Sequence, residues 1–212
     1  MPLHCLKSHS LAAGLLVLTL LVGSPVQAGI EEGADTFLRS LANKAVQSLT
    51  EADTPRAERI KRFRIMFKEN FAVRSIGKFV LGRNWRKASD DEKKEYLTLF
   101  EDLMVVTYVD RFQRYAGEAL KVTKARAETD NIATVFSEIE RPGGAKAIRV
   151  DWRVGTNGTI YKVLDVIVEG TSMSNTLRSD FGSIVRREGN GVSGLLVALR
   201  KKTAALKAEA AQ

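Results

Sequence analysis

The side chains best suited to catalysis and metal binding lie at the very start of this 212-residue sequence. Its one cysteine is Cys5, and its two histidines are His4 and His9. Beyond them the sequence offers no thiolate or imidazole, which excludes disulfides, Cys or His metal ligands, Ser-His-Asp triads and Cys nucleophiles there. Asp, Glu, Lys, Tyr, Ser and Thr are the groups left for chemistry, and we predict no metal and no cofactor.

The N-terminal segment that holds these residues has the pattern of a signal peptide. Lys7 provides a small basic start, the run LAAGLLVLTLLVG is apolar, and VQA ends at Ala28 with small residues that suit cleavage. A membrane-anchoring helix is the alternative, but the apolar run is short and no basic stop-transfer cluster follows it. We therefore predict that residues 1–28 are a cleaved signal peptide, that the protein is periplasmic and that residues 29–203 form its domain.

One strand-like segment, YKVLDVIVEG at 161–170, is apolar on both of its faces. Side chains alternate along a strand, so Val163 and Ile167 lie on one face and Leu164, Val166 and Val168 on the other. A sheet with one face in water would alternate apolar and polar residues instead. The segment therefore predicts a strand covered on both sides. The cover is either a terminal helix that completes an ordinary core or a set of helices that encloses an apolar cavity.

Asp165 interrupts this apolar pattern. A buried carboxylate is costly unless it is paired, so we predict a structural salt bridge between Asp165 and Arg149, Arg153 or Arg178. The alternative is an enzyme for small apolar substrates, in which Asp165 is a general base and Tyr161 assists it.

The elements that position these residues change character halfway along the chain. Residues 35–117 carry apolar side chains at helical spacing, and Ser89 and Glu92 fit a capping box at the start of a long, aromatic helix. The next segment, 118–170, has the two-residue period of strands and splits at TDN, RPGG and GTNG into four strands of an antiparallel meander. Asn157 lies in a predicted hairpin turn, although NGT also matches a glycosylation acceptor.

Two closing helices over 174–203 and a polar tail over 204–212 complete the prediction. The fold class is α+β, a curved antiparallel sheet of about four strands covered by helices. In the third strand, Ile148, Val150, Trp152 and Val154 form a dry face, and Arg149, Asp151 and Arg153 form a wet one. The net charge of +8 favours anionic lipid surfaces or acidic proteins as partners of an exported protein, and we predict no nucleic acid.

Two long segments resemble a known family. FVLGRNWRKASDDEKKEYLTLFEDLMVVTYVDRF carries the LG-x-x-WR-x-A pattern of the MlaC, or toluene-tolerance, family. RPGGAKAIRVDWRV and YKVLDVIVEGTSMSNTLRSDFGSIVRREGNGVSGLLVALRKK are similar to the sheet and closing helices of that family. The resemblance covers roughly residues 35–203 and is close to a branch associated with hopanoid lipids.

This resemblance implies an NTF2-like sheet with helices that enclose a lipid cavity. It also implies a soluble periplasmic carrier in a lipid ABC transport system. Such a carrier passes phospholipid, or a hopanoid, between an outer-membrane lipoprotein complex and the substrate-binding domain of an inner-membrane transporter. We expect a monomer with no catalytic group. A protein-binding envelope scaffold with a filled core is the remaining alternative.

Two groups of residues follow as candidates for binding. The predicted lipid-binding residues, each of which has ordinary core packing as its alternative, are Val80, Leu81, Trp85, Phe100, Met104, Tyr108, Phe112, Val150, Trp152, Leu164, Val166, Val168, Met173 and Phe181. The residues predicted to face a partner or a lipid headgroup are Arg186, Arg187, Arg200, Lys201 and Lys202.

Overall fold

The structure is a computed structural model, and it describes residues 26–49, 51, 53–114 and 120–209. Its helices are α1 (Val26–Leu49), α2 (Arg56–Asn70), α3 (Val73–Leu81), α4 (Asp90–Arg114), α5 (Met173–Arg187) and α6 (Gly191–Glu209). Its strands are β1 (Leu120–Thr129), β2 (Ile132–Ile139), β3 (Ile148–Thr156), β4 (Tyr161–Val168) and β5 (Thr171–Ser172). The α+β prediction is therefore confirmed.

The five strands form one sheet in chain order, and each is antiparallel to the next. This confirms the predicted meander and adds the two-residue strand β5. The Asn157 side-chain oxygen accepts the N–H groups of Thr159 at 3.1 Å and Ile160 at 2.9 Å, and Gly158 has a φ of 95°. A tight turn therefore joins β3 to β4, as predicted.

A bulge at Leu164 breaks the alternation of side chains along β4. Val154 pairs with Val163, but the preceding residue Arg153 pairs with Asp165, so Leu164 is the extra residue on β4. Such a bulge leaves one residue unpaired and shifts every later side chain of that strand to the opposite face.

The bulge regroups the apolar residues of β4. Directly opposite residues share a face, so Val163, Val166 and Val168 lie together with Val154, Trp152 and Val150 of β3. Asp165 and Ile167 lie on the other face. The predicted assignment of these faces was wrong because strict alternation makes no allowance for an extra residue. Leu164 itself packs over Gly155, where a Cβ would lie 2.8 Å from its Cδ1.

Helices that precede the sheet in sequence and helices that follow it both pack against its strands. Helix α1 crosses β1 and β2, while α2, α3 and α5 reach β4. Two polar contacts fix α1 to β1: Glu31 Oε1 accepts the Ala127 N–H at 2.7 Å, and Arg39 Nη2 donates to the Val122 carbonyl at 3.1 Å. Helix α1 buries an apolar stripe at helical spacing, and its members are Leu38, Leu41, Ala45 and Leu49.

Helix α4 begins with the predicted capping box. The Ser89 N–H donates to Glu92 Oε2 at 2.9 Å, and the Glu92 N–H donates to Ser89 Oγ at 3.2 Å. Both bonds satisfy N–H groups that have no partner within a helix.

Helices α4 and α6 pack along each other in the same direction. Three pairs of side chains connect them: Ser193 Oγ donates to Glu92 Oε1 at 2.7 Å, Arg200 Nε to Glu95 Oε1 at 2.5 Å, and Lys207 Nζ to Asp102 Oδ2 at 2.7 Å. We call these three pairs the α4–α6 ladder. Because Ser193, Arg200 and Lys207 are seven residues apart, they lie on one side of α6.

The helices extend beyond the predicted limits at both ends. Helix α1 starts at Val26 rather than near residue 35, so it includes the residues directly before the predicted cleavage point. Helix α6 continues to Glu209, through most of the predicted polar tail, because Leu206 packs on the core and Lys207 pairs with Asp102. Residues 1–25 of the predicted signal peptide lie outside the described residues, as do residues 115–119.

Candidate functional site

The inner face of the sheet is its apolar side, and it becomes less buried towards the end of β4. We define it by four rows of paired residues: Ala133, Val154 and Val163; Val135, Trp152 and Val166; Ser137, Val150 and Val168; Ile139 and Ile148. The three residues of the first row are all 0% exposed, whereas both residues of the last row are half-buried. The inner face is therefore sealed at one end and partly open at the other.

Trp152 lies at the centre of this inner face and is held there by a buried hydroxyl. Its Nε1 donates to Ser137 Oγ at 3.0 Å, and Ser137 Oγ donates to the Val150 carbonyl at 2.6 Å. Ser137 is only 1% exposed, so this hydroxyl satisfies polar groups that would otherwise be buried without a partner. The indole therefore has a fixed orientation on an otherwise apolar surface.

An aromatic cluster fills the interior formed by α3, α4 and α5. Tyr96, Phe100 and Phe181 meet with ring centroids 5.9 to 6.4 Å apart, and Trp85 lies edge-on to Tyr96 at 6.5 Å. The Tyr96 hydroxyl donates to the Gly77 carbonyl at 2.9 Å. Burial raises the pKa of the Tyr96 phenol far above its ordinary value, so this group stays protonated.

The structure brings most of the predicted lipid-binding residues into the interior. Some lie on the inner face of the sheet, and others lie among the helices that pack against it. Val150, Trp152, Val166 and Val168 lie on the inner face, while Val80, Leu81, Trp85, Phe100, Met104 and Phe181 belong to or pack against the helical core. Tyr108 and Met173 are half-buried, and Leu164 is displaced from the inner face by the bulge. The side chain of Phe112 lies outside the described part of the chain.

Two open grooves lie apart from these residues. The first, of about 430 Å³, is lined by Gly29, Glu32, Gly33, Thr36, Phe37 and Tyr161. The second, of about 480 Å³, is lined by Lys68, Phe71, Ala72, Val73, Arg74, Ser75, Leu97, Thr98, Glu101 and Lys162, and we call it the α2–α3 groove. Neither groove is lined by a predicted lipid-binding residue whose side chain is described. The predicted enclosed cavity thus stays a prediction.

Asp165 has hydrogen bonds where the sequence predicted a salt bridge. Its Oδ1 accepts the N–H groups of Val166 at 2.9 Å and Ser174 at 3.0 Å, and its Oδ2 accepts the Ser172 hydroxyl at 2.5 Å. Ser172 Oγ in turn accepts the Asn175 N–H at 3.1 Å. Asp165 and Ser172 together satisfy the first turn of α5, a position where a negative charge is favourable.

The arginines proposed as partners of Asp165 have other contacts. Arg149 Nη2 lies 3.2 Å from Asp151 Oδ2, and Arg153 Nε lies 2.7 Å from Glu128 Oε2. Arg178 donates to the Phe79 carbonyl at 3.0 Å and lies over the Phe79 ring at 4.7 Å. The prediction of a salt bridge to Asp165 was therefore wrong, because main-chain N–H groups and a hydroxyl already satisfy this carboxylate. Asp151, placed on the wet face by its pattern, is only 5% exposed.

The predicted partner-facing residues all lie at the surface. Lys201 and Lys202 are exposed on α6, and Arg186 and Arg187 are exposed at the end of α5. Arg186 donates to Ser183 Oγ, and Arg187 pairs with Glu188 at 3.3 Å. Arg200 is bound to Glu95 in the α4–α6 ladder, so part of its charge is used within the fold.

The described residues give little support for a metal site or a membrane span. No group of three or more His, Cys, Asp or Glu side chains within the described ranges is placed to hold a metal ion. Across those same ranges, every helix is too short or too polar to cross a membrane.

The fold matches a solved structure of a phospholipid-binding protein from Ralstonia solanacearum in complex with a phospholipid. The TM-score is 0.72 at 19% sequence identity, and the match covers 82% of this chain and 98% of that one. The architecture of α1 to α6 around one antiparallel sheet is therefore a fold found in a lipid-binding protein. The model of the MlaC protein family matches residues 39–201, and the chain belongs to the MlaC family.

Sequence reasoning missed the α2–α3 groove and the role of Asp165 at the start of α5. The segment FAVRSIG supplies five of the groove residues and lies within the range 35–117 that was predicted only as helical. Its one basic residue, Arg74, among apolar neighbours was an available signal. In contrast, no local pattern indicates that Lys162 and Lys68 come together, because they are on different elements far apart in the chain.

Proposed function

We propose that this protein binds a phospholipid and carries it through the periplasm. The observation that carries the proposal is the inner face of the sheet. It is apolar apart from the Ser137 hydroxyl and is only half-covered near Val166 and Val168. An apolar surface that is sealed at one end and accessible at the other suits an acyl chain. Family membership and the phospholipid-bound structure of the same fold support this choice.

The physical need for a carrier follows from the cost of exposing lipid tails. A phospholipid has roughly 30 chain carbons, and burial of each is worth about 0.8 kcal/mol. Passage through water without a protein would therefore cost on the order of 20 kcal/mol. A protein that buries most of both tails makes transfer from a membrane nearly neutral in free energy. Transfer breaks no covalent bond, so it requires no catalytic residue.

Binding of tails requires the interior to open, because the described core residues contact one another. Helix α5 is the element best placed to move, since its Phe181 seals the aromatic cluster and its first turn borders the half-covered end of β4. The lipid tails then lie between α5 and the inner face, with Trp152 and Val166 beneath them.

The proposed partners are an outer-membrane lipoprotein complex and the substrate-binding domain of an inner-membrane ABC transporter. The exposed Arg186, Arg187, Lys201 and Lys202 form a basic surface for docking to one of them, and the carrier works as a monomer. Neutralisation of all four residues is expected to weaken docking most at low salt, where charges are least screened. Unchanged docking and lipid transfer at low salt would rule this surface out.

The enzyme alternative has no support from Asp165. This carboxylate already accepts three hydrogen bonds within the fold. Tyr161 stacks on Phe37 in the first groove, which Asp165 does not line. A general base needs a lone pair directed at a substrate proton. We therefore propose a binding and transport protein rather than an enzyme.

Native mass spectrometry of the protein purified from its own cell envelope tests the proposal. We expect a stoichiometric lipid adduct, which solvent extraction then identifies as phospholipid or hopanoid. A clean mass without lipid, obtained under conditions that preserve folding, would contradict the proposal and favour a protein-binding scaffold.

A second experiment locates the tails. The sequence has two tryptophans, Trp85 and Trp152, so Trp85→Phe leaves Trp152 as the only strong fluorophore. A phospholipid with a nitroxide label on its acyl chain is expected to quench Trp152 on binding. Stoichiometric binding without quenching would show that the tails lie away from the inner face.

A further inference from the structure

The α2–α3 groove combines an apolar floor with a basic rim. Phe71, Val73 and Leu97 on its floor also pack against the hydrophobic core. Lys68 and Lys162 lie on its rim, and Lys68 is 60% exposed at its side chain. An open groove whose floor is continuous with the core and whose rim is charged suits an amphipathic molecule.

The charges on this groove leave an excess of positive charge. Its one acidic lining residue, Glu101, is bound to Arg64 Nη1 at 2.8 Å and lies 3.9 Å from Lys68 Nζ. Among the described residues, neither Arg74 nor Lys162 has a carboxylate within ion-pair distance. Lys162 Nζ donates only to a carbonyl, that of Lys68, at 3.1 Å.

Hydrogen bonds between secondary-structure elements hold the segments that carry these cations in place. The Ala72 N–H donates to the Val163 carbonyl at 2.9 Å, which joins the link between α2 and α3 to the edge of β4. The bond from Lys162 to the Lys68 carbonyl joins β4 to α2 as well. Arg74 extends over the Trp85 ring at 5.9 Å. The Ser75 hydroxyl completes a lining that offers donors to an anion, whereas the Thr98 hydroxyl donates to the Lys94 carbonyl at 3.2 Å.

We infer that the α2–α3 groove binds the phosphate group of the lipid headgroup. This inference rests on the proposed function and specifies which part of the protein recognises the cargo. Lys68, Arg74 and Lys162 neutralise the phosphate, and these cations and the Ser75 hydroxyl donate hydrogen bonds to its oxygens. The groove borders the inner face at Val163, so the interior has to open there for the tails. The first acyl carbons then lie on the floor formed by Phe71 and Leu97, and the tails extend along the inner face towards Val166.

The inference predicts that lipid binding depends on the phosphate group as well as on the acyl tails. The test compares phosphatidylglycerol with a diacylglycerol that has the same acyl chains and no phosphate. Delipidated protein is incubated with phosphatidylcholine vesicles that contain both, and native mass spectrometry measures the ratio of the two bound lipids. The two lipids differ in the free energy needed to extract them from the membrane. This difference is the same for every variant, so it cancels when the ratios of two variants in the same vesicles are compared.

The groove variant carries Lys68→Gln, Arg74→Gln and Lys162→Gln. The control variant carries Lys44→Gln, Lys121→Gln and Lys146→Gln, which removes the same charge from exposed positions outside the groove. We expect the ratio of phosphatidylglycerol to diacylglycerol to fall about tenfold or more in the groove variant. The control variant is expected to keep the ratio of the wild type.

The possible results separate the inference from the proposed function. If the wild-type protein takes up no lipid from these vesicles, phosphatidylcholine included, the proposed function fails and the inference fails with it. If both lipids bind and the groove variant keeps the wild-type ratio, carriage stands and the groove is not the headgroup site. An equal loss of both lipids would assign these residues to folding and overturn the inference. Removal of the preference by inorganic phosphate would assign the groove to a free anion and also overturn it.

Discussion

Replacement of Asp165 by alanine is the most direct test of how the sheet holds α5. The substitution removes the acceptor for the Ser174 N–H, the Val166 N–H and the Ser172 hydroxyl. Ser174 is 6% exposed, so water cannot easily replace that lost partner. A buried donor left without a partner costs about 1–3 kcal/mol, and loss of a helix cap typically costs about 1 kcal/mol.

These terms together predict that Asp165→Ala lowers the free energy of unfolding by about 2–4 kcal/mol. Urea denaturation measures this as a lower midpoint with an unchanged slope. Asp165→Asn keeps the shape and one acceptor oxygen, so its loss is expected to lie between that of alanine and zero.

Asp180→Ala is the matched control, because Asp180 is an exposed carboxylate on the same helix. Its effect is expected to stay within about 0.5 kcal/mol of zero. Equal effects of Asp165→Ala and Asp180→Ala would refute the role of Asp165 as the anchor of α5. A fully stable Asp165→Asn that has lost a catalytic activity would instead revive the enzyme alternative.

Three further predictions follow from other contacts. Ser137→Ala is expected to lower the free energy of unfolding by about 1–3 kcal/mol, because the Trp152 N–H loses its buried acceptor; a urea midpoint equal to that of wild type would contradict this. In the α4–α6 ladder, the hydrogen bond from Arg200 lowers the pKa of Glu95. Burial alone would raise the pKa of Asp102, but hydrogen bonds from Lys207 and Arg64 bring this pKa below its ordinary value. Groups with lowered pKa stabilise the fold above about pH 4 and lose this contribution as pH falls further, so urea midpoints should drop below pH 4 and drop less in Lys207→Gln. Removal of bound lipid is expected to lower the melting temperature, since a ligand that binds only the folded state stabilises it, and lipid re-addition should restore the original value.

The strands and the capping box could be predicted because their signals are local. Four strand periods separated by Gly, Asn and Pro turns define a meander, and the spacing of Ser89 and Glu92 defines a helix start. The family could be predicted for a similar reason, since its motifs are continuous stretches of sequence. Such signals do not depend on which distant residues come together.

The faces of β4 and the partners of Asp165 could not be predicted in this way. Leu164 is an ordinary strand residue in type, and only its pairing with β3 shows that it is the extra one. Asp165 meets Ser174 because β5 reverses the chain, and the sequence offered three arginines as equally good partners. Residues of the α2–α3 groove come from α2, α3, α4 and β4, so the groove exists only after those elements pack.

The parallel packing of α4 and α6 has a consequence for the order in which the chain folds. The sheet is a meander of neighbouring strands, so its contacts are short in sequence and form early. Helix α4 meets its partner only after all five strands and α5 have been synthesised, because α6 is the last helix of the chain. Until then the side of α4 that faces α6 has no cover, and a chain that lacks α6 is exposed to aggregation. Formation of the α4–α6 ladder thus follows synthesis of the whole sheet and α5.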